Sequence, residues 1–498
     1  MEYVLGIDLG TSSVKVVLVD KKGTVSGEAV REYELFQTQA GYSEQNPEDW
    51  ITQTLSAVAE LTEKESISLQ SVKGISFSGQ MHGLVLVDAN CRSLRPAILW
   101  NDTRTTPQCQ EIVDVLGERL LDITKNKSLE GFTLPKLLWV KQHEPEIFKK
   151  AFAFVLPKDY VRYRLTGALH MEYSDAAGTL LLDVTNKEWS EEICNAFSIS
   201  ATLCPELVSS YDCVGTLLPD MASAMGLAEE TKVFAGGADN ACGALGAGIV
   251  NDGAALCSIG TSGVLLSYEE NKEQDFRGSL HFFNHAKPNS YYLMGVTLAA
   301  GYSLSWFKNT FAKEKKFKEM LQGVSSVPIG SNGLLFTPYL AGERTPYADS
   351  NIRASFIGMD GSHSFDHFAR AVLEGITFSL RDSLELMRTV GKKEINKIIS
   401  IGGGAKNELW LQMQADIFNA TVVKLTSEQG PALGAAIIAA VGCGWFDTFE
   451  ACTDTFIQYE KEFNPIPENV IVYEDVYKIY KDVYQQTKEL NQRLHVFR

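Results

Sequence analysis

The tripeptide Gly-Thr-Ser occurs twice in this chain, each time in the same setting. Gly10-Thr11-Ser12 follows an apolar run at 3–7 and Asp8, and precedes another at 14–19. Gly260-Thr261-Ser262 follows 254–257 and precedes 264–266. Each copy reads as strand, tight turn of small residues, strand. Glycine supplies the backbone angles such a turn needs and lets a ligand come close to the main chain. Successive N–H groups flanked by Thr and Ser hydroxyls form a concave anion site. Singly, either copy is equally an ordinary hairpin. Paired at one per half, they read as two similar α/β domains gripping a phosphate-bearing ligand, such as a nucleotide, between them. Only the first copy carries an acid, Asp8, so the repeat is asymmetric in chemistry, as an active site is.

A length of 498 residues suits two domains, and 45% hydrophobic with 21% charged residues permits large cores. The net charge of −17 comes without any Lys/Arg-rich block. That speaks against nucleic acid or an anionic membrane surface as partner, because both require a basic footprint. Nine scattered cysteines form no Cys-x-x-Cys pair, which reads as reduced thiols rather than a zinc or disulfide framework. No leader-like segment opens the sequence and no uncharged apolar run reaches membrane-spanning length, so a soluble, cytoplasmic protein is expected.

The first half opens as a meander with strands at 3–8, 14–20 and 25–33, followed by a helix at 48–61. Strands at 72–77 and 84–88 flank the turn Ser78-Gly79-Gln80-Met81-His82-Gly83. A helix-rich region at about 96–228 reads as a pocket-shaping insertion. It contains Trp100-Asn101-Asp102-Thr103-Arg104 and Leu156-Pro157-Lys158-Asp159-Tyr160. A short strand at 233–235, Gly236-Gly237 and a small-residue helix at 240–247 follow. The second half offers a matching unit: a strand at 398–401, Gly402-Gly403-Gly404 and a helix at 407–418. The domain boundary falls near 246–252, without a low-complexity linker, so a shared interface with a hinge is expected.

Several residues in this frame can carry chemistry. A carboxylate ending an apolar strand, as Asp8 does, is costly unless it meets a partner or cation. It reads either as a Mg²⁺ anchor or as a solvated turn aspartate. Asp239 precedes a helix, where it can act as an N-cap, as a general base, or as both. The glycine triplet with Asn407 can hold adenosine or phosphate, or can simply be a tight turn. It is neither a P-loop nor a Rossmann fingerprint. Gln80-Met81-His82 form a loop tip that can line a sugar pocket or lie on the surface. His281/His285 and His363/His367 have i,i+4 spacing without a completing ligand set, and the second pair reads as a helix start.

Two longer stretches add to this pattern. One is Gly131-Phe132-Thr133-Leu134-Pro135-Lys136-Leu137-Leu138-Trp139-Val140-Lys141-Gln142-His143. The other is Ala354-Ser355-Phe356-Ile357-Gly358-Met359, continuing through His367-Phe368-Ala369-Arg370-Ala371-Val372-Leu373-Glu374. With the two Gly-Thr-Ser turns they resemble the FGGY family of carbohydrate kinases, in the actin/hexokinase/Hsp70 ATPase superfamily, over essentially the whole chain. Ala354 departs from the Gly that many relatives have there. Within the family, Ser78-Gly79-Gln80-Met81-His82-Gly83, Ile98-Leu99-Trp100-Asn101-Asp102 and Gly236-Gly237-Ala238-Asp239-Asn240-Ala241-Cys242-Gly243 are most similar to the xylulokinase branch.

The resemblance implies an α/β fold of two duplicated actin/hexokinase/Hsp70-like (ribonuclease H-like) ATPase domains with a cleft between them. Residues 1–247 would carry the sugar pocket, the first phosphate turn and the base. Residues 248–498 would carry the second phosphate turn and the adenosine site. It implies phosphorylation of D-xylulose to D-xylulose 5-phosphate by ATP with Mg²⁺. Asp239 would take the proton from the terminal hydroxyl. Met81 and His82 would lie on the sugar, with Gln80 and Asn240 beside them, and Asp8 would help hold Mg²⁺. Thr11, Ser12, Gly260 and Thr261 would address the phosphates, and Gly301, Gly403 and Asn407 would flank the nucleotide. A kinase for ribulose, gluconate or glycerol is the alternative among enzymes. An Hsp70- or actin-like ATPase would not need Gln80-Met81-His82 together with Asp239-Asn240. A sugar-responsive repressor would need a basic DNA-reading segment. A homodimer is left open.

Overall fold

The computed structural model describes residues 1–65, 68 and 70–498. Both Gly-Thr-Ser segments are hairpins. Strand Tyr3–Leu9 pairs antiparallel with Ser13–Asp20, which places Asp8 opposite Lys15. Strand Ala254–Ile259 pairs with Gly263–Glu269, which places Ser258 opposite Val264. Serine thus stands in the second copy where the first has its acid.

Each hairpin forms the middle of a seven-stranded mixed sheet. In the first, the order runs Cys213–Thr216, Lys232–Phe234, Val72–Gly79, Tyr3–Leu9, Ser13–Asp20, Val25–Glu32, with Gly237–Ala238 continuing beside the end of Val72–Gly79. In the second it runs Tyr459–Phe463, Thr421–Leu425, Lys397–Gly402, Ala254–Ile259, Gly263–Glu269, Tyr291–Thr297, His281–Asn284. The strands at the centre are apolar on both faces and buried, as strands covered on both sides must be.

The sheet order corrects one expectation from sequence. The unit around Gly236-Gly237 and the unit around Gly402-Gly403-Gly404 share a local strand–glycine–helix pattern, but they are not counterparts. Lys397–Gly402 lies parallel to Ala254–Ile259, and its equivalent is Val72–Gly79, parallel to Tyr3–Leu9. The equivalent of Lys232–Phe234 is Thr421–Leu425, one strand further out. Helix Asp239–Gly246 therefore corresponds to helix Pro431–Gly442. A local pattern specifies turn and helix but not the place of its strand in a sheet. A second difference is smaller. Strand Val85–Val87 leaves the main sheet and pairs with Ala153–Val155.

The two corresponding helices cross in direct contact at the junction of the halves, and Pro431–Gly442 also lies on strands Tyr3–Leu9 and Val72–Gly79. Small residues make the crossing possible. A Cβ on Gly434 would sit 1.9 Å from the Cys242 carbonyl oxygen. Among the described residues, no helix is long and apolar enough to cross a membrane.

Candidate active site

Asp8 is the penultimate residue of its strand, and it is held there by a ladder on each side. Its Oδ1 is buried without a hydrogen-bond partner. Burial pushes its carboxyl up to about 6, against the Ser78 hydroxyl and then the pull of Lys15 across the strand pair. Asp239 opens helix Asp239–Gly246 at its first residue. The N-cap is Ala238, and no side chain caps the helix. The N-cap role considered for Asp239 is therefore corrected: its Oδ1 accepts from the N–H (2.6 Å) and Nδ2 (2.9 Å) of its neighbour Asn240. Burial, then the negative charge of Asp8, push Asp239 up to about 7. Two carboxylates from separate strand ends thus face one region and repel each other.

The strand end before Asp239 is pinned from below. Ser174 Oγ accepts the Ala238 N–H (2.9 Å) and donates to Glu172 Oε1 (2.6 Å). Glu172 belongs to a fully buried charge cluster in which Lys158 lies 2.7 Å from Asp159 and 2.9 Å from Asp175. Nothing in the spacing of Lys158, Glu172 and Ser174 along the chain signals that they meet under Asp239.

Two cavities flank this region. The smaller, about 230 Å³, is lined by Met81, His82, Asp239 and Asn240, as the sequence suggests. It is also lined by Trp100, Phe132, Ser262, His281, Phe283 and Arg344. The second half thus contributes much of its wall, and it is not confined to residues 1–247. The volume is below that usual for drug-sized ligands, so the cavity suits a small polar molecule. Its histidines are neutral. Burial first, with nearby cations adding, drives His82 down to about 3 and His281 well below its ordinary value. Gln80 does not line this cavity. It is 1% exposed, and its Nε2 donates to Gln45 Oε1 (3.0 Å), while Gln45 Nε2 donates to the Thr11 carbonyl (2.6 Å). At a strand end successive side chains face opposite ways, so Gln80 braces the first turn while Met81 reaches the cavity.

The larger cleft, about 850 Å³, brings together Gly260, Thr261, Gly301, Gly403 and Asn407. Gly301 opens helix Gly301–Phe311, and its N–H donates to the Gly260 carbonyl (2.9 Å). A Cβ there would lie 2.3 Å from that carbonyl oxygen, so only glycine lets the helix start press on the turn. Asn407 is the N-cap of helix Glu408–Phe418, its side chain accepting from Trp410 N–H (3.2 Å). Helix and turn N–H groups together favour negative charge here. Thr11 and Ser12 line neither cavity. Thr11 Oγ1 accepts from Trp100 Nε1 (2.9 Å), and Ser12 is exposed on the first turn. The second turn borders both cavities, with Gly260 and Thr261 on the larger and Ser262 on the smaller.

A carboxylate with an orphaned oxygen, beside a second carboxylate of raised pKa, suits a divalent cation. Among the described residues no cluster of three or more His, Cys, Asp or Glu forms a protein-only metal cage. Mg²⁺ fits such a donor set, since it binds through one or two carboxylates and keeps water and phosphate oxygens.

Comparison with known proteins decides what the arrangement belongs to. The N-terminal domain of the FGGY family of carbohydrate kinases matches residues 3–246, and its C-terminal domain matches residues 255–443. The chain belongs to the FGGY family of carbohydrate kinases. It is 62% identical to the xylulose kinase of Bacillus subtilis over 100% of both chains. It is 54% identical to that of Lactococcus lactis over 100% of this chain and 99% of the relative. A ligand-bound xylulose kinase from Lactobacillus acidophilus superimposes with a TM-score of 0.93 at 27% identity, covering 98% of this chain and 99% of that one. The FGGY kinase fold is thus the two-domain, actin/hexokinase-like α/β architecture, and its chemistry is ATP-dependent phosphorylation of a carbohydrate.

Proposed function

We propose that this FGGY kinase transfers the γ-phosphoryl group of ATP to the 5-hydroxyl of D-xylulose, giving D-xylulose 5-phosphate and ADP, in the cytoplasm. Identity to xylulose kinases along the full chain supports the sugar. The observation that carries the mechanism is the position of Asp239. It lines the small cavity beside a turn that also borders the large cleft, within reach of the charge of Asp8.

In this reading the small cavity holds the sugar and the large cleft holds the nucleotide. Gly260 and Thr261, with Thr11 and Ser12 across the junction, orient the phosphates through N–H and hydroxyl groups. Gly301, Gly403 and Asn407 flank the nucleotide. Met81, His82 and Asn240 hold the sugar. Asp239 accepts the proton of the terminal hydroxyl as its oxygen bonds to phosphorus, and the electron pair of the broken bond leaves on ADP. Such transfer needs alignment, charge neutralisation and a placed base rather than covalent catalysis. Asp8 would hold Mg²⁺, which supplies positive charge against the phosphates. The raised pKa of Asp239 makes it a better base than an ordinary carboxylate near neutral pH. Burial of the sugar between the halves keeps water from competing as acceptor.

Product analysis tests the proposal. After incubation of protein, ATP, Mg²⁺ and D-xylulose, phosphorus NMR should show a monoester coupled to the C5 protons. Coupling to the C1 protons, or ADP formation without a sugar ester, would overturn it.

A further inference from the structure

Arg344 lines the small cavity, and it is the cationic side chain among the cavity's named walls. Its bonds run through its backbone. Its N–H donates to Glu343 Oε1 (2.8 Å) and its carbonyl accepts from Ala348 N–H (2.6 Å). Among the described residues the half-buried guanidinium has neither a hydrogen bond nor an ion pair. Burial disfavours its charge, and the acids that act on it are Glu130 and Glu343. The acid that acts on Asp239 is instead Asp8. The charge of Arg344 acts on His82 and His281, which line the same cavity and share that side of it.

The hydrogen-bonding inventory at the Arg344 end is lopsided. His82 Nδ1 meets the Gly178 carbonyl at 2.6 Å, so that nitrogen carries the proton and Nε2 is an acceptor. His281 Nδ1 meets Asn126 Oδ1 at 3.0 Å. The Asn126 Nδ2 donates to the Phe282 and Thr124 carbonyls, which fixes Oδ1 as the acceptor and leaves His281 with an acceptor Nε2 as well. Elsewhere on the wall, Trp100 Nε1 is committed to Thr11 Oγ1 and Asn240 Nδ2 to Asp239 Oδ1. Ser262 has a hydroxyl donor, but it sits on the turn that borders the nucleotide cleft. A sugar hydroxyl can satisfy an acceptor histidine by donating to it. A carbonyl oxygen can only accept, and at this end its donor is Arg344.

We propose that Arg344 is a specificity-determining residue that reads the C2 carbonyl oxygen of the sugar, and so selects a ketose over the pentitol of the same skeleton. The proposal rests on the reading of the small cavity as the sugar site. A partly desolvated guanidinium without a protein partner is costly to hold unless a ligand completes it. A charge-assisted bond to a neutral acceptor accounts for a discrimination of about 10- to 100-fold.

The test compares D-xylulose with xylitol and D-arabinitol, which carry a hydroxyl in place of the carbonyl. Wild type and Arg344→Met are assayed for KM and kcat with D-xylulose, for inhibition constants of both pentitols, and for the KM of ATP. The expected result is a KM for D-xylulose raised about 10- to 100-fold, with kcat, the pentitol inhibition constants and the KM of ATP little changed. Arg344→Lys keeps the charge but loses the fork, and should show the same selective rise to a smaller extent. It carries the comparison if Arg344→Met does not fold. An equal rise for ketose and pentitols, or an unchanged KM for D-xylulose, would overturn the assignment. The reading of D-xylulose as substrate fails by a different result, a wild-type protein that does not phosphorylate D-xylulose. The ketose-to-pentitol binding ratio still tests Arg344 in that case.

Discussion

Asp239 holds the chemistry and a cost to stability in one side chain. Its carboxyl is raised to about 7 and that of Asp8 to about 6. Between an unfolded aspartate value of about 4 and these values, the folded protein binds more protons than the unfolded chain, so stability falls as pH rises through that window. Asp239→Asn removes one of the two repelling charges. Its melting temperature should exceed that of wild type at pH 8 and converge on it near pH 4, while turnover drops about 10²- to 10⁴-fold, the scale of a positioned general base. Paired melting curves and turnover assays on the variant check both, and wild-type turnover would remove Asp239 from the mechanism. Because a base must be ionised, wild-type kcat/KM for the sugar should fall about tenfold per pH unit below a pKa near 7. Asp8→Asn takes away the charge that raises Asp239 and should move that acid limb to lower pH in whatever activity remains. An unmoved limb would mean that the two carboxylates do not interact. Asp8 and Asp239 stand out in the sequence because an acid ending an apolar strand or following a double glycine is conspicuous. Arg344 does not, and His281 stands out only for its spacing from His285 and not as a wall of this cavity, because both reach the site from a distant part of the chain and no local pattern marks the side a residue faces.

At the scale of single elements, the second turn and the helix that starts on it form the nucleotide side of the site. The approach of Gly301 to the Gly260 carbonyl leaves no room for a Cβ. Gly301→Ala should therefore displace the helix start and raise the KM of ATP at least several-fold, with the sugar affinity close to wild type. Steady-state kinetics with each substrate varied in turn separate the two. An unchanged KM of ATP would place the nucleotide elsewhere. The hairpins and the helix at Asn407 are legible in sequence because glycines, a capping residue and apolar alternation are local signals, whereas the helix starting at Gly301 has no capping side chain to mark it. Gln80 shows the limit of such signals. The loop tip is correctly located, but strand alternation turns Gln80 to the core and Met81 to the cavity.

Across the whole molecule, duplication is visible in sequence and its alignment is not. The two sheets share one order over six strands, yet the sequence pairs the wrong strand–glycine–helix units, because position in a sheet is set by long-range pairing. The true counterparts, helices Asp239–Gly246 and Pro431–Gly442, cross at the junction and couple the halves. Gly434→Val should lower stability by about 1–3 kcal/mol, through a clash with the Cys242 carbonyl, without any contact to either cavity. Denaturant melts should show that loss, and a variant as stable as wild type would mean that the crossing is loose enough to accept the larger side chain.

The central claim is that this FGGY kinase acts on D-xylulose through Asp239, and kcat/KM across a sugar panel tests it most directly. ADP release is followed with D-xylulose, D-ribulose, gluconate, glycerol and no sugar, in wild type and Asp239→Asn. The account predicts the highest kcat/KM for D-xylulose, little ADP release without sugar, and collapse of the D-xylulose rate in the variant. A higher kcat/KM for gluconate or glycerol, or ADP release that ignores both the sugar and Asp239, would contradict it.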